Sequence, residues 1–306
     1  MFVRRPEQAR QQPKRPRCRQ SRPAFSRLMC DDDPNFHREL AFRIELEEER
    51  MSSFSSITSS FSSSSALYRR GHELLALLSS LLVPENHTIQ LRADLANYIT
   101  ETLFLLQKSL LKKYEDRIDF VLKELKRKVD EVRGMSVYCP PGPTQHPFAV
   151  NFYSTLEELW LYQCPPSTLI GLYSLRSKLM RLTIEYSGVC DMADVLTPVK
   201  QSLRSNLQPM ILPEQAPTVP PKYQWSNLLV LRLTHCGIVR IDESLHFFPN
   251  LVSLDLSHNH IMHIAHLQDC IALENINLAY NRIRVLSNLE RVLGKVKRLD
   301  VSHNEV

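Results

Sequence analysis

Asparagine recurs near the C-terminus at a nearly constant spacing, inside a repeated pattern of aliphatic residues. Asn259, Asn281 and Asn304 follow one another at steps of 22 and 23 residues. The surrounding blocks, LVSLDLSHNHI, LENINLAYNRI and VKRLDVSHNEV, share the form L-x-x-L-x-L-x-x-N-x-I. A fourth block, LLVLRLTHCGI, carries Cys236 in the asparagine position. A spacing this regular predicts one structural unit that is repeated along the chain.

Each block predicts a short strand followed by a turn. Its aliphatic residues alternate along the strand and therefore point to one side, while the asparagine amide can bond backbone groups of neighbouring repeats. Because one unit cannot bury its apolar side alone, we expect the units to stack into a solenoid with a curved parallel sheet. The short step leaves room for 3₁₀ or short helical turns on the outer side. The predicted fold class is α/β.

Two weaker blocks precede these four. LEELWLYQCPP and LMRLTIEYSGV have the same form and are again 23 residues apart, with Cys164 and Ser187 in the asparagine position. The step from Ser187 to Cys236 is 49 residues, so we expect a Pro-rich insert at about 190–226, looping out of the solenoid. We thus expect the repeats to occupy 151–306, with the last one truncated after its strand.

The N-terminal half divides by composition. Residues 1–65 form a basic and Ser-rich tail with little apolar surface, for which we expect disorder. Helical spacing of leucines predicts a helical module over 66–134, with Thr88 as the N-cap of its second helix and Ile89 on the buried side of that helix. Gly134 is expected to end the module, and 135–150 to form a Pro-rich linker. The module has two candidate roles, covering the first repeat or binding a partner.

Charge and cysteine usage indicate the cellular compartment and the class of partner. The net charge of +5 comes from residues 1–28, which hold nine Arg and Lys against Glu7. This tail has few interleaved aromatics, which disfavours nucleic acid, and its prolines disfavour a mitochondrial presequence. No apolar run is long enough for a transmembrane segment. An odd number of cysteines without C-x-x-C pairs predicts a reducing, cytoplasmic location.

No motif in the sequence predicts catalysis. Phosphate-binding glycine loops, the G-x-S-x-G elbow and H-E-x-x-H are all missing from the sequence. We therefore predict no enzyme activity and no cofactor. His235, His258 and His303 occupy one template position and could in principle bind a metal, but tyrosines and a glutamine share that position. The prediction is that no metal binds.

The strand positions between the aliphatic residues predict a protein-binding surface, which we name the concave face. Aromatic residues mixed with arginine and hydrogen-bonding groups are typical of binding hot spots. We expect a monomer that binds a protein partner there. The residues of the concave face are Trp160, Tyr162, Glu185, Tyr186, Arg232, His235, Asp255, His258, Asn277, Tyr280, Asp300 and His303.

The blocks are identified as members of the leucine-rich-repeat superfamily. Over 148–306, IDESLHFFPNLVSLDLSHNHI and FYSTLEELWLYQCPPSTLIGLYSLRSKLMRLTI are similar to the repeat domain shared by nischarin and serine/threonine kinase 11-interacting protein. Residues 1–130 look helical and lack the phosphoinositide-binding domain of nischarin, which favours the kinase-interacting group. That resemblance implies a cytoplasmic adaptor that binds a serine/threonine kinase and influences its localisation.

Two alternatives stay open. A nischarin-like protein would regulate small-GTPase signalling through Rac and PAK in cell migration. A component of an RNA–protein complex, resembling the spliceosomal repeat protein of similar repeat length, would place the Arg-rich tail on RNA and act mainly through a protein partner.

Overall fold

The computed structural model describes residues 64–110, 116–142, 146–197, 223–268, 270–286 and 295–306. Residues 1–63 of the predicted tail lie outside this part of the chain, as do residues 198–222 of the predicted insert. The described residues belong to one compact unit.

An eight-stranded parallel sheet organises the described chain. Its strands follow one another in chain order, as expected for a solenoid, while two further short strands, β3 and β5, pair with each other. This confirms the predicted fold class. The strands are β1 (Thr88–Arg92), β2 (Gly134–Tyr138), β3 (Phe148–Ala149), β4 (Glu158–Tyr162), β5 (Leu169–Ile170), β6 (Arg181–Glu185), β7 (Val230–Thr234), β8 (Ser253–Asp255), β9 (Asn275–Asn277) and β10 (Arg298–Asp300).

Alternation along the strands builds the core. In β4, for example, Leu159 and Leu161 are 2% and 1% exposed, whereas Trp160 between them is only half-buried. Burying a leucine side chain in this way contributes about 1.5–3 kcal/mol. Strand pairing continues this buried row in register with Leu159 from one repeat to the next. The residues of the row on the other strands are Ile89, Met135, Leu182, Leu231, Leu254 and Ile276.

The regular spacing of asparagine has a direct structural cause. The Oδ1 atom of Asn259 accepts hydrogen bonds from three consecutive backbone N–H groups, 236–238, at 3.0–3.1 Å. Its Nδ2 atom donates to the carbonyls of Leu233, Leu256 and Ser257 at 2.7–3.1 Å. One buried side chain therefore satisfies backbone groups of two repeats that would otherwise be buried without partners.

Cysteine replaces asparagine in two repeats and retains part of this bonding. The Cys236 Sγ atom lies 3.4 Å from the Ile184 carbonyl oxygen and 3.2 Å from that of Thr234. Burial raises the pKa of the Cys236 thiol to about 12, so the thiol stays protonated at neutral pH and can donate. Cys164 makes equivalent contacts, both at 3.4 Å, with the carbonyls of Val137 and Tyr162.

Short turns cover the outer side of the repeats, as the short step predicts. They include three 3₁₀ helices, Pro166–Thr168, Leu172–Leu175 and Glu243–Phe247. A single-turn helix, α4 (Ala193–Leu196), lies in the same layer, and the Trp225 Nε1 atom donates to its Leu196 carbonyl at 3.1 Å.

Three longer helices form the N-terminal part, where the sequence predicts a helical module. They are α1 (Ser64–Leu81), α2 (Ala93–Leu110) and α3 (Asp116–Asp130). Gly71 lets α1 approach α3 closely, since a Cβ atom there would lie 2.6 Å from the Val121 Cγ1 atom. The buried side chains of these helices belong to the same hydrophobic core as those of the strands.

The predicted helix start at Thr88 is wrong. Thr88 is the first residue of β1, and helix α2 begins five residues later, at Ala93. In TIQLR the burial alternates with period two, which is the pattern of a strand. Ile89 is buried as predicted, but it lies on this strand and pairs with Met135 of β2.

The predicted Pro-rich linker at 135–150 also differs from the structure. Gly134–Tyr138 is strand β2, between β1 and β4 in the sheet, and Phe148–Ala149 is strand β3. Met135 and Val137 are 3% and 1% exposed. Helices α2 and α3 consequently form the crossover between two neighbouring parallel strands, so the helical segment and the repeats share one sheet.

Candidate functional site: the concave face

All twelve predicted residues of the concave face are located on strands of the main sheet or within three residues after them, where they form three rows. In the first row, strand pairing aligns Trp160, Arg232, Asp255, Asn277 and Asp300. The intervening β6 contributes Thr183 to this row. Whether the concave face binds a partner stays a prediction.

The second row lies two positions further along the strands. Here Tyr162 and Glu185 pair directly across β4 and β6. The row continues to Tyr138 and Arg92 on β2 and β1. The sequence pattern did not predict these last two residues, because their strands resemble part of a helix and a linker.

The third row follows the strand ends and consists mostly of rings. Tyr186, His235, His258, Tyr280 and His303 occupy it, with φ between 53° and 57°. This left-handed backbone costs a non-glycine residue about 1–2 kcal/mol. Backbone hydrogen bonds to the next repeat offset the cost, for example from the Tyr280 N–H to the Ser302 carbonyl at 3.0 Å.

The rings of the third row stack on one another. The centroid distances along the row are 4.3 Å, 4.2 Å, 4.2 Å and 4.1 Å, and the interplanar angles lie between 10° and 17°. Because each ring fixes its neighbours, this row is a rigid feature of the surface. Its edges remain accessible, and Tyr186 and Tyr280 are 38% and 47% exposed.

This stacking does not fit the metal site that the three histidines suggest. A metal is bound by ring nitrogens that converge in the planes of their rings, whereas His235 and His258 face each other with their planes 12° apart. His303 is separated from His258 by Tyr280. In the described part of the chain, no group of three or more His, Cys, Asp or Glu side chains could hold a metal ion.

In the C-terminal half of the concave face, the side chains beside the stacked rings are polar. Arg232 forms an ion pair with Asp255 at 3.2 Å, and the Arg298 Nε atom donates to the Asn275 side chain at 2.6 Å. A hydrogen bond from the Ser302 backbone N–H lowers the pKa of Asp300, so this exposed carboxylate is charged at neutral pH. These side chains line an open groove of about 510 Å³.

The N-terminal half is aromatic. Tyr162 lies between Tyr138 at 5.7 Å and Tyr186 at 5.3 Å, measured between ring centroids. Burial raises the pKa of Tyr162, and the negative charge of Glu185 raises it further. The half-buried Trp160 precedes Tyr162 on the same side of β4.

Comparison with known families agrees with this architecture. Residues 250–270, which contain β8 and Asn259, match the family described as Leucine Rich Repeat. This stretch of the solenoid is similar to a leucine-rich repeat. A human relative, leucine-rich repeat protein 1, is 31% identical over 132 residues, which are 42% of this chain. The chain spans about a third of that relative's length, since the match covers 31% of it.

Solved structures give more distant matches. Internalin C2 of Listeria monocytogenes is 16% identical, with a TM-score of 0.39 over 58% of this chain and 65% of that one. Another Listeria internalin is 13% identical, with a TM-score of 0.30 over 58% of this chain and 63% of that one. A repeat protein of Leptospira interrogans is 19% identical, with a TM-score of 0.27 over 58% and 51%.

None of the helices in the described ranges has the length and apolarity needed to cross a bilayer.

Proposed function

We propose that this protein is a non-catalytic scaffold that binds a protein partner through the concave face. The observation that carries this proposal is the continuous run of rings from Tyr138 to His303, held on rigid strands with partly exposed edges. Aromatic side chains that are already ordered lose little entropy when a partner covers them, and they are enriched at binding hot spots.

The proposed partner is a signalling protein in the cytoplasm. The sequence resemblance to serine/threonine kinase 11-interacting protein supports a kinase, whose localisation the scaffold would influence. The odd number of cysteines, without C-x-x-C pairs, supports a reducing compartment. A nischarin-like role in small-GTPase signalling is the second candidate, supported by the same resemblance.

Affinity purification from cell extract tests the proposal. The concave-face variant combines Trp160→Ala, Arg232→Ala and Tyr280→Ala, one change in each third of the surface. The matched control combines Phe120→Ala with Lys123→Ala on helix α3, where both side chains are exposed. We expect mass spectrometry to find a signalling protein that the intact chain and the control retain and that the concave-face variant loses.

Equal recovery of every protein by the two variants would contradict a binding role for the concave face. Far-UV circular dichroism and thermal unfolding must first give the same result for the three proteins, so that a lost partner reports on the surface and not on folding.

A further inference from the structure

Two buried cysteines lie against each other where the helical segment meets the repeats. Cys139 directly follows β2, and Cys164 lies two residues after β4, in the asparagine position of its repeat. Their Sγ atoms are 2.7 Å apart, and the two residues are 8% and 2% exposed. Unbonded carbon atoms pack about 3.5–4.0 Å apart, and sulfur is larger than carbon. The fold therefore holds the two sulfur atoms closer than an ordinary packing contact.

The backbone fixes this arrangement. Strands β2 and β4 are neighbours in the sheet, with Tyr138 paired to Tyr162, and the Cys139 N–H continues the pairing by donating to the Tyr162 carbonyl at 3.0 Å. Each cysteine is followed by two prolines, at 140–141 and at 165–166. Proline fixes its own φ and restricts the backbone of the residue before it. The two sulfur atoms consequently have little freedom to separate while the strands stay paired.

Replacement of asparagine explains one cysteine of the pair but not the other. Cys236, which also occupies an asparagine position, bonds the carbonyls of Ile184 and Thr234. Cys164 bonds two carbonyls in the same way, so serving the backbone requires a single thiol at this position. Cys139 lies outside the asparagine positions, and its thiol is directed at the Cys164 sulfur.

We propose that Cys139 and Cys164 form an intramolecular disulfide by exchange with a small disulfide, oxidised glutathione. The Cys139 sulfur attacks one glutathione sulfur, which gives a mixed disulfide and releases one glutathione. The Cys164 sulfur then attacks the Cys139 sulfur and releases the second glutathione. The two thiols of the chain lose two electrons and two protons, and oxidised glutathione takes up both as it becomes two glutathione thiols.

The surroundings of the two sulfur atoms set their order in this exchange. Cys139 is the more exposed of the two, and residues 140–142 that follow it are exposed. Burial raises the pKa of the Cys164 thiol, so this sulfur stays protonated until the mixed disulfide lies beside it. The bond would tie the turn after β2 to the turn after β4, next to Tyr138 and Tyr162. Oxidation would thus fix the N-terminal end of the concave face, and this inference does not depend on what binds there.

A redox titration of the full chain in glutathione buffers tests the proposal. Trypsin cuts after Arg133 and Arg176 with no Lys or Arg between them, so one peptide, 134–176, contains both cysteines and no other. After acid quenching and alkylation, mass spectrometry measures the fraction of this peptide that has lost two hydrogen atoms and resisted alkylation. The same titration is repeated in urea, where the unfolded chain no longer holds the sulfur atoms together.

We expect the folded chain to form this disulfide in buffers at least about ten-fold more reducing than the unfolded chain requires, because the fold supplies the close approach. The oxidised chain should also unfold at a higher urea concentration than the reduced chain, since the bond closes a loop over a separation of 25 residues. Cys139→Ser should abolish this rise in the urea midpoint. Cys236→Ser, which changes the other asparagine-position cysteine, should retain both responses.

Equal glutathione ratios for the folded and unfolded chain would overturn the proposal, as would full alkylation of peptide 134–176 in the most oxidising buffer. A rise in the urea midpoint that persists in Cys139→Ser would do the same, because another cysteine would then be responsible. Circular dichroism first establishes that Cys139→Ser is folded. If it is not, the peptide titration of the intact chain decides the question alone.

Discussion

At the scale of single residues, the repeats depend on a few side chains that serve the backbone. Asn259 is 3% exposed and makes six hydrogen bonds to backbone groups of two repeats. The neighbouring His258 holds a left-handed backbone, at φ 56°, that allows the chain to turn away from the sheet. The asparagine and the left-handed residue together fix each turn, and the ring at the left-handed position is then available for the surface.

Replacing Asn259 with alanine should lower the free energy of unfolding by about 3–5 kcal/mol, because several buried backbone groups lose their partner. Asn304 makes the same kinds of bonds but is only half-buried, so water can replace its amide. Asn304→Ala should therefore lower the free energy of unfolding by clearly less than Asn259→Ala does. Urea unfolding of the two variants checks this, and equal losses would contradict the role of burial.

At the scale of elements, the sequence predicts the repeats where the template is strong and fails where it is interrupted. Strands β4, β6, β7, β8, β9 and β10 all lie in blocks that the template identifies. The two missed strands of the main sheet start 46 residues apart, at Thr88 and Gly134, because a helix pair fills that step. Neither has an asparagine in the usual position, and five residues of alternation are too short to exclude a helix or a linker.

The concave face was predictable for the same reason. Every residue there follows from its position in a template block, so its row could be assigned without a structure. The ring geometry could not be predicted. Interplanar angles as different as 10° and 55° arise from side-chain packing between repeats, and the spacing of the sequence does not record them. Tyr138 was missed together with its strand.

A substitution in β2 distinguishes a strand from a linker. Met135→Asp should lower the free energy of unfolding by more than about 3 kcal/mol, because it buries a carboxylate without a partner in the core. Ser136→Asp, one residue further and half-exposed on the opposite side of the strand, should change stability by less than about 1 kcal/mol. Chemical denaturation of both variants gives the answer. Similar small effects would mean that Gly134–Tyr138 is not part of the sheet.

At the scale of the whole molecule, the helices and the repeats share one core. Val121 on α3, Leu91 on β1 and Leu159 on β4 belong to the same hydrophobic cluster, which continues to Ile283 in the C-terminal repeats. Repeat proteins often unfold in parts, because each unit contacts only its neighbours. Here the helix pair α2 and α3 connects the neighbouring strands β1 and β2 and packs in the same core, so its unfolding would expose the apolar side of the first strands.

This architecture predicts that helices and repeats unfold together. Circular dichroism at 222 nm reports mainly on α1, α2 and α3, whereas Trp225 fluorescence reports on the repeats, where the ring packs 5.8 Å from that of Phe248. The two urea midpoints should coincide. Val121→Ala, which removes two fully buried methyl groups, should shift both midpoints equally and lower the free energy of unfolding by about 2 kcal/mol. A shift in the helical signal alone would mean that the N-terminal helices fold as a separate unit, and their place in the sheet would then contribute nothing to the stability of the repeats.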